Sequence, residues 1–428
     1  MSSTSKEPVA KRNPKAAKAE KRHPLWGILM LLLIALSTLF ILYMANVQIR
    51  EEQKNEHFES APIPVQVKAE EGADLWGYLN KSGELVIPAA YEEATRFAKN
   101  GLAAVKQNGA WGFINKSGET VIPCSFETTH GFGDGLLAPV KQDGAWGYIN
   151  KNGKIVIPCI YTQAEPFGKN GLAAARVGEK YGYINENGQQ VIEPIFTVAR
   201  SFDESNRAVV KIYGQWGVIN KRGEFVINPQ FDYLDDFSPV GLALIQKDGL
   251  FGYIDRDGQY AIAPTLPYAT AFSANGLAAV TTELYGPYGY INTEGKMVIP
   301  AVFSRARPFS QGGLAAVAVG SGTALRWGYI DEDGNLAVEA IYTNASDFAA
   351  GFAAVHDGSE WHYINKKGET ALSADCRAAS AFFDDGFAVL QSPEGDLIEI
   401  IDSTGRVIHT ERLLALGPKK PSSALFMG

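Results

Sequence analysis

Nine aromatic residues recur at one place in a repeated phrase: Trp76, Trp111, Trp146, Tyr181, Trp216, Phe251, Tyr288, Trp327 and Trp361. Flat aromatic faces stack on sugar rings and cage quaternary ammonium groups, so such a ladder is a candidate ligand surface. The same rings are also the large rigid plugs with which a repeat array fills the space between its units. The sequence leaves this ladder open between core and ligand.

Other residue sets with chemical potential are sparse. Asp255-Arg256-Asp257-Gly258 and Asp331-Glu332-Asp333-Gly334 place two carboxylates beside a glycine, as calcium loops do. They occupy the place where Asn80-Lys81-Ser82-Gly83 makes the same turn without carboxylates, so turn chemistry accounts for them and no metal is assigned. Cys124 and His130, six residues apart, have the types of a nucleophile and a base, with nothing beside them to complete a site. The six histidines are scattered, and no Cys-x-x-Cys, His-Glu-x-x-His, Gly-x-Ser-x-Gly or P-loop pattern occurs. The expectation is a protein that is not an enzyme, with no catalytic residues and no cofactor. Cys124 and Cys159 hold equivalent places in adjacent units and read as free small core residues or as a disulfide pair; Cys376 falls where other units put a core aromatic.

The elements that must position these residues follow from the repeat. Trp76-Gly77-Tyr78-Leu79-Asn80-Lys81-Ser82-Gly83 is rewritten ten times at a period near 35 residues, ending with a degenerate copy at Ile398. Alternation within the phrase predicts a strand, with Trp76 and Tyr78 on one side and Gly77 and Leu79 on the other. Asn or Asp then opens a turn closed by Gly83, Gly118, Gly153, Gly188, Gly223, Gly258, Gly295, Gly334, Gly368 and Gly405, predicting a type I turn with a bulge. A second strand follows, as in Val121-Ile122-Pro123, with its proline expected at a strand end or a sheet edge. Two aromatics per unit, such as Phe126 and Phe132, read as core plugs. Each unit restarts with a small-residue strand such as Gly101-Leu102-Ala103-Ala104-Val105, expected on the inner edge of a propeller blade or the inside of a coil. One unit is thus a meander of three strands with a possible short fourth around residues 91–97. Each such unit is too small to be stable alone. Ten blades exceed the usual four to eight, so a β-propeller-like array and an open superhelical one both remain.

The recurrence of the Trp-Gly pair, the Asn-x-x-Gly turn and the Gly-Leu-Ala-Ala-Val strand in one order resembles the WG-repeat, or KWG-repeat, proteins over residues 64–409. The resemblance implies a mostly bacterial, often surface-associated chain with no general activity and no catalytic residues to carry over. Three departures stand out: Trp361-His362 lacks the glycine, Tyr or Phe replaces three of the tryptophans, and Ile398-Glu399-Ile400 loses both aromatics.

The ends suggest an address. Residues 25–45 form a run of 21 without a charge, long enough to span a bilayer, and the expected transmembrane helix is 25–47. Before it, a basic arm over residues 1–24 holds seven Lys or Arg against two Glu, whereas the stalk at 48–63 is mainly acidic. The positive-inside rule then keeps the N-terminus cytoplasmic and places the repeats, residues 64–410, in the periplasm or outside the cell, followed by a tail at 411–428. The apolar run is longer than that of a cleaved signal peptide, and no Ala-x-Ala site follows it. Of the chain's net charge of −8 the arm contributes +5, leaving −13 for the rest, which argues against nucleic acid as a partner. The expected function is a single-pass, membrane-anchored module that binds or scaffolds a protein partner. The alternative is a cell-envelope glycan held by exposed Trp or Tyr of the ladder.

Overall fold

The computed structural model describes residues 61–67, 75–80, 84–133, 135–374, 376–383, 386–394 and 397–412. The basic arm, the apolar run, residues 413–428 of the tail and Gly83 lie outside the described residues, and no helix among those described is long and apolar enough to cross a membrane.

The chain is all-β: among the described residues it forms ten small antiparallel sheets in a propeller arrangement, with one short 3-10 helix at Gly322–Ala324. The first sheet has three strands, Ile63–Val67, Leu75–Leu79 and Leu85–Tyr91, and the other nine have four. In the second sheet these are Glu93–Ala94, Leu102–Gln107, Ala110–Asn115 and Thr120–Phe126, hydrogen-bonded in chain order. The short strand after Tyr91 therefore exists, but it pairs with Lys106 and Val105 of the next unit rather than closing its own. This corrects the expected place of the small-residue strand: it lies second in the sheet, with the two-residue strand outside it.

Strand alternation distributes the core. Leu102, Ala104, Phe113 and Ile122 face the third sheet and pack with Ala138, Val140 and Ile149. Ala103, Val105 and Ile114 face the first sheet and pack with Tyr78, Ile87, Tyr91 and Phe97. Both faces of a sheet are thus interior, and each core cluster belongs to two successive units, as expected when no unit can bury its apolar surface alone.

The turns follow their predicted chemistry. Asn115 Oδ1 accepts the backbone N–H groups of Ser117 and Glu119 at 3.0 Å, and the Gly118 N–H returns to Asn115 O at 2.9 Å. Gly118 has φ +80°, and a Cβ there would also meet the Ile87 side chain of the preceding sheet at 3.0 Å. The glycine serves both the turn and the contact between units.

Of the two places expected for the prolines, the structure shows the sheet edge. Pro123 lies within Thr120–Phe126, not at its end; that strand is the sheet's edge and is bulged, and both conditions tolerate a missing donor. The bulge is explicit in the register, since Trp111 pairs with Phe126 but Phe113 with Ile122. Two residues of one strand there face four of the other.

Candidate functional site

Every ladder aromatic packs on a core cluster shared by two sheets. Trp146 and Trp216 are buried, at 8% and 9% exposure, and the other seven are half-buried. Trp76 joins the cluster of Tyr78 and Phe97, Trp111 that of Phe113, Tyr181 that of Tyr183, Phe251 that of Tyr253 and Tyr288 that of Tyr290. Trp327 and Trp361 pack in the same way beside Tyr329 and Tyr363.

The exposed flanks of several ladder rings are covered by the protein's own side chains. His130 stacks on Trp146 at 4.6 Å with the planes 4° apart. Arg200 and Lys211 lie over Trp216 at 5.1 and 5.4 Å, Arg307 over Trp327 at 5.0 Å and Arg176 over Tyr181 at 5.7 Å. These cation–π contacts occupy faces that a sugar would need.

The deepest ring in most units is not the tryptophan but the tyrosine two residues later. Tyr78, Tyr148, Tyr183, Tyr253, Tyr290, Tyr329 and Tyr363 are fully buried. Each packs against the aromatic 19 residues on, as Tyr183 does on Phe202 at 4.8 Å. Each hydroxyl donates to a backbone carbonyl 17 residues on, as Tyr183 does to Arg200 O at 2.7 Å and Tyr253 to Thr270 O at 2.6 Å. Burial raises the pKa of all seven phenols well above the ordinary value.

The other candidates read from sequence are positioned without converging on a reaction. Asp255 Oδ1 accepts the N–H groups of Asp257 and Gln259, both at 2.9 Å, and Asp331 Oδ1 those of Asp333 at 3.1 Å and Asn335 at 2.8 Å. These carboxylates cap their turns as asparagine does elsewhere. Cys124 is half-buried with Sγ 3.8 Å from Val105 O, and burial pushes its thiol pKa up, opposite to what activates a nucleophile. Cys124 and Cys159 form no disulfide with each other, and Cys376 is buried in the core shared by the ninth and tenth sheets.

One mixed cluster has metal-ligand types. His362 Nε2 lies 3.2 Å from Asp357 Oδ2 and 3.8 Å from Glu360 Oε1. Backbone and hydroxyl donors of Glu360 and Ser359, with His362, hold the Asp357 carboxyl well below the usual carboxylate range. Asp357 Oδ1 is thereby engaged in its own turn, and His362 Nδ1 is buried without the partner that normally orients a metal-bound imidazole. The hydrogen bond between His362 and Asp357 ties the turn to the following strand.

The most distinctive surface lies on the hairpins that join the small-residue and aromatic strands. Their tips carry Asn108-Gly109, Asp143-Gly144 and Asp248-Gly249, each Asn or Asp at φ 53°, where those residue types are favoured. Two units instead place a tyrosine there: Tyr213 at φ 52° and 92% exposed, and Tyr285 at φ 60° and 96% exposed. The steps into the seventh and eighth units are 37 and 39 residues rather than 35, and the added residues lengthen these hairpins. Between the lengthened hairpins runs a groove of 770 Å³. Tyr268, Tyr285, Tyr288, Leu284 and Leu325 line it, with Arg305 as its charged member. Of these, sequence reasoning reaches only Tyr288. The signal for the rest was the replacement of Asn or Asp by Tyr at a hairpin tip, together with the local lengthening.

A second groove, of 680 Å³, opens at the opposite, Asx-turn end between the fourth and fifth sheets. It is crossed by the exposed Lys169–Glu204 pair at 3.1 Å and lined by Phe167, Phe202 and Asn170, whose Nδ2 is buried without a partner among the described residues.

Among solved structures the chain is similar to a eukaryotic initiation factor, at 12% identity and TM-score 0.48, covering 83% of this chain and 96% of that one. It is also similar to Hsv2p of Kluyveromyces lactis, at 11% identity and TM-score 0.33, covering 57% of this chain and 94% of the other. No match was found among curated protein sequences. The family model for the WG containing repeat matches eight times, at residues 76–109, 111–144, 146–181, 181–216, 216–251, 251–283, 288–321 and 327–361. With its Trp-Gly strands, Asx-Gly turns and bulged proline strands repeated across more than half its length, the chain belongs to the WG containing repeat family.

Proposed function

We propose that this chain is a non-catalytic, single-pass membrane module, anchored through residues 25–47, whose β-repeat domain lies in the periplasm or outside the cell and binds or scaffolds a protein partner. The observation that carries this reading is the hairpin face. Two tyrosines there stand almost fully in solvent, in a backbone conformation that costs a bulky residue on the order of 1 kcal/mol. Exposed aromatic rings on rigid tips are characteristic anchors of protein interfaces. The anchor rests on the uncharged run at 25–45 and the basic arm before it.

A glycan held by the ladder is the less favoured reading, because the ladder rings sit in the core with several faces capped by Arg, Lys or His. The test is affinity capture from membranes with the full chain, compared with Tyr213→Asn and Tyr285→Asn. A defined protein recovered with wild type and lost with either tip variant supports the reading. Recovery unaffected by both, or release of the captured material by oligosaccharide, contradicts it.

A further inference from the structure

The groove between the lengthened hairpins of the seventh and eighth sheets has a shape and chemistry that narrow its occupant. Its volume of 770 Å³ lies within the range of sites that enclose a ligand. The rings of Tyr268 and Tyr288 stand 5.4 Å apart at 74°, forming a corner rather than a flat plate. A sugar ring stacks best on an exposed flat face, whereas a proline or short aliphatic side chain seats into a corner between two rings.

Donors for a main chain are present as well. The hydroxyls of Tyr268, Tyr285 and Tyr288 make no hydrogen bond among the described residues, and a polyproline-type segment has carbonyls with no internal partner. Ser304, by contrast, is already committed, donating to Gly320 O at 2.6 Å and tying the eighth unit's loop in place. Arg305 is the charged residue of the lining. Its Nη1 donates to Ser304 O at 3.1 Å, and its guanidinium meets no carboxylate among the described residues. A cation without a counter-charge at the edge of an aromatic groove calls for an acidic group on the ligand.

We propose that this groove seats an extended, proline-containing segment of a partner protein that carries an aspartate or glutamate for Arg305. The proposal rests on the reading that the hairpin face binds protein, and it names the place and the chemistry. The Tyr268–Tyr288 corner takes the proline ring, Tyr285 closes over the backbone from the rim, and Arg305 selects the acidic neighbour.

The test is selection of a displayed random 12-residue peptide library on the purified full-length protein in detergent. One enriched peptide is then synthesised with a fluorescent label and titrated by anisotropy. The expected result is enrichment of proline with Asp or Glu close by. Affinity should fall at least about tenfold in Tyr268→Ala and in Arg305→Gln. Replacing the peptide's acid by its amide should weaken binding to wild type but not further weaken binding to Arg305→Gln. Tyr285→Asn, whose backbone conformation suits asparagine, is the variant expected to fold normally and still bind weakly. Peptides enriched without proline or acid would overturn the proposal. So would peptides insensitive to Tyr268→Ala and Arg305→Gln, and in that case protein binding itself would stand elsewhere on the array. Failure to enrich any peptide, with acidic oligosaccharides bound and lost in the same variants, would overturn both the proposal and the reading beneath it.

Discussion

Gly147 lies directly beneath the bulge of the neighbouring proline strand: a Cβ on it would stand 2.6 Å from Ile157 O and 2.7 Å from Cys159 N. The glycine of the Trp-Gly pair is therefore the counterpart of the bulge. The ninth sheet shows the same relation in reverse. There His362 takes the glycine's place, and the pairing runs unbroken through Trp361–Ala374, His362–Ser373 and Tyr363–Leu372. The tenth sheet, with Glu399 in that place, is unbroken there as well.

Gly147→Ala is expected to lower stability by about 2–3 kcal/mol, because strand backbone, not a flexible side chain, must move. His362→Ala, opposite a regular strand, should cost less than about 1 kcal/mol. Denaturant unfolding followed by tryptophan fluorescence compares the two. Equal costs would break the link between the glycine and the bulge.

The turn glycines separate strain from packing. Gly188 has φ 75° and its added Cβ would meet Ile157 of the preceding sheet at 3.1 Å, whereas Gly178 has φ 60° with nothing within 4 Å. Gly178→Ala should cost only the left-handed backbone penalty, on the order of 1 kcal/mol. Gly188→Ala should cost that and a further contact term, and it should loosen the third and fourth sheets in hydrogen exchange.

The buried phenols make the fold sensitive to alkali. Their folded-state pKa values are raised above the unfolded value by burial. The stability they confer is therefore complete below about pH 10 and is lost as pH climbs toward the folded-state values. The phenols' contribution should be flat from pH 7 to 9 and fall above about pH 10, by at most about 1.4 kcal/mol per pH unit for each phenol. Tyr183→Phe, which leaves Arg200 O without its donor, should cost about 1–2 kcal/mol at pH 7. The same variant should show a shallower alkaline slope, and an unchanged slope would contradict the assignment.

Much of the architecture was legible because the array repeats its local rules. The strand alternation, the Asn115 turn with Gly118 and the plugs Phe126 and Phe132 all stand where the phrase puts them. The edge place of Pro123 was legible but the bulge around it was not, since a bulge is a relation between two strands and Gly112 gives only half of it. The ladder drew attention to Trp76 and Trp111, yet Tyr78 and Phe113 are the rings buried deepest, because depth depends on the next sheet rather than on residue type. The groove was hardest to foresee: Tyr268, Tyr285 and Arg305 lie in different strands and loops and meet only through the stacking of two units.

Tyr285→Asn should raise stability while lowering partner binding. Asparagine is the residue type that Asn108 shows to suit this tip, so relief of strain should be worth about 0.5–1 kcal/mol. Thermal unfolding and partner capture on the same preparation check both signs. A stability gain with binding intact would remove Tyr285 from the interface.

The Trp-Gly ladder stacks the units, and the role proposed for the hairpin face is to hold the partner. Its most direct test is photo-cross-linking in the expressing cell, with a benzophenone amino acid at position 285 or at position 111 of the full-length chain. A discrete protein adduct from position 285 and none from position 111 is the predicted result. Adducts from position 111 alone, or from neither position in a folded, membrane-localised chain, would contradict it.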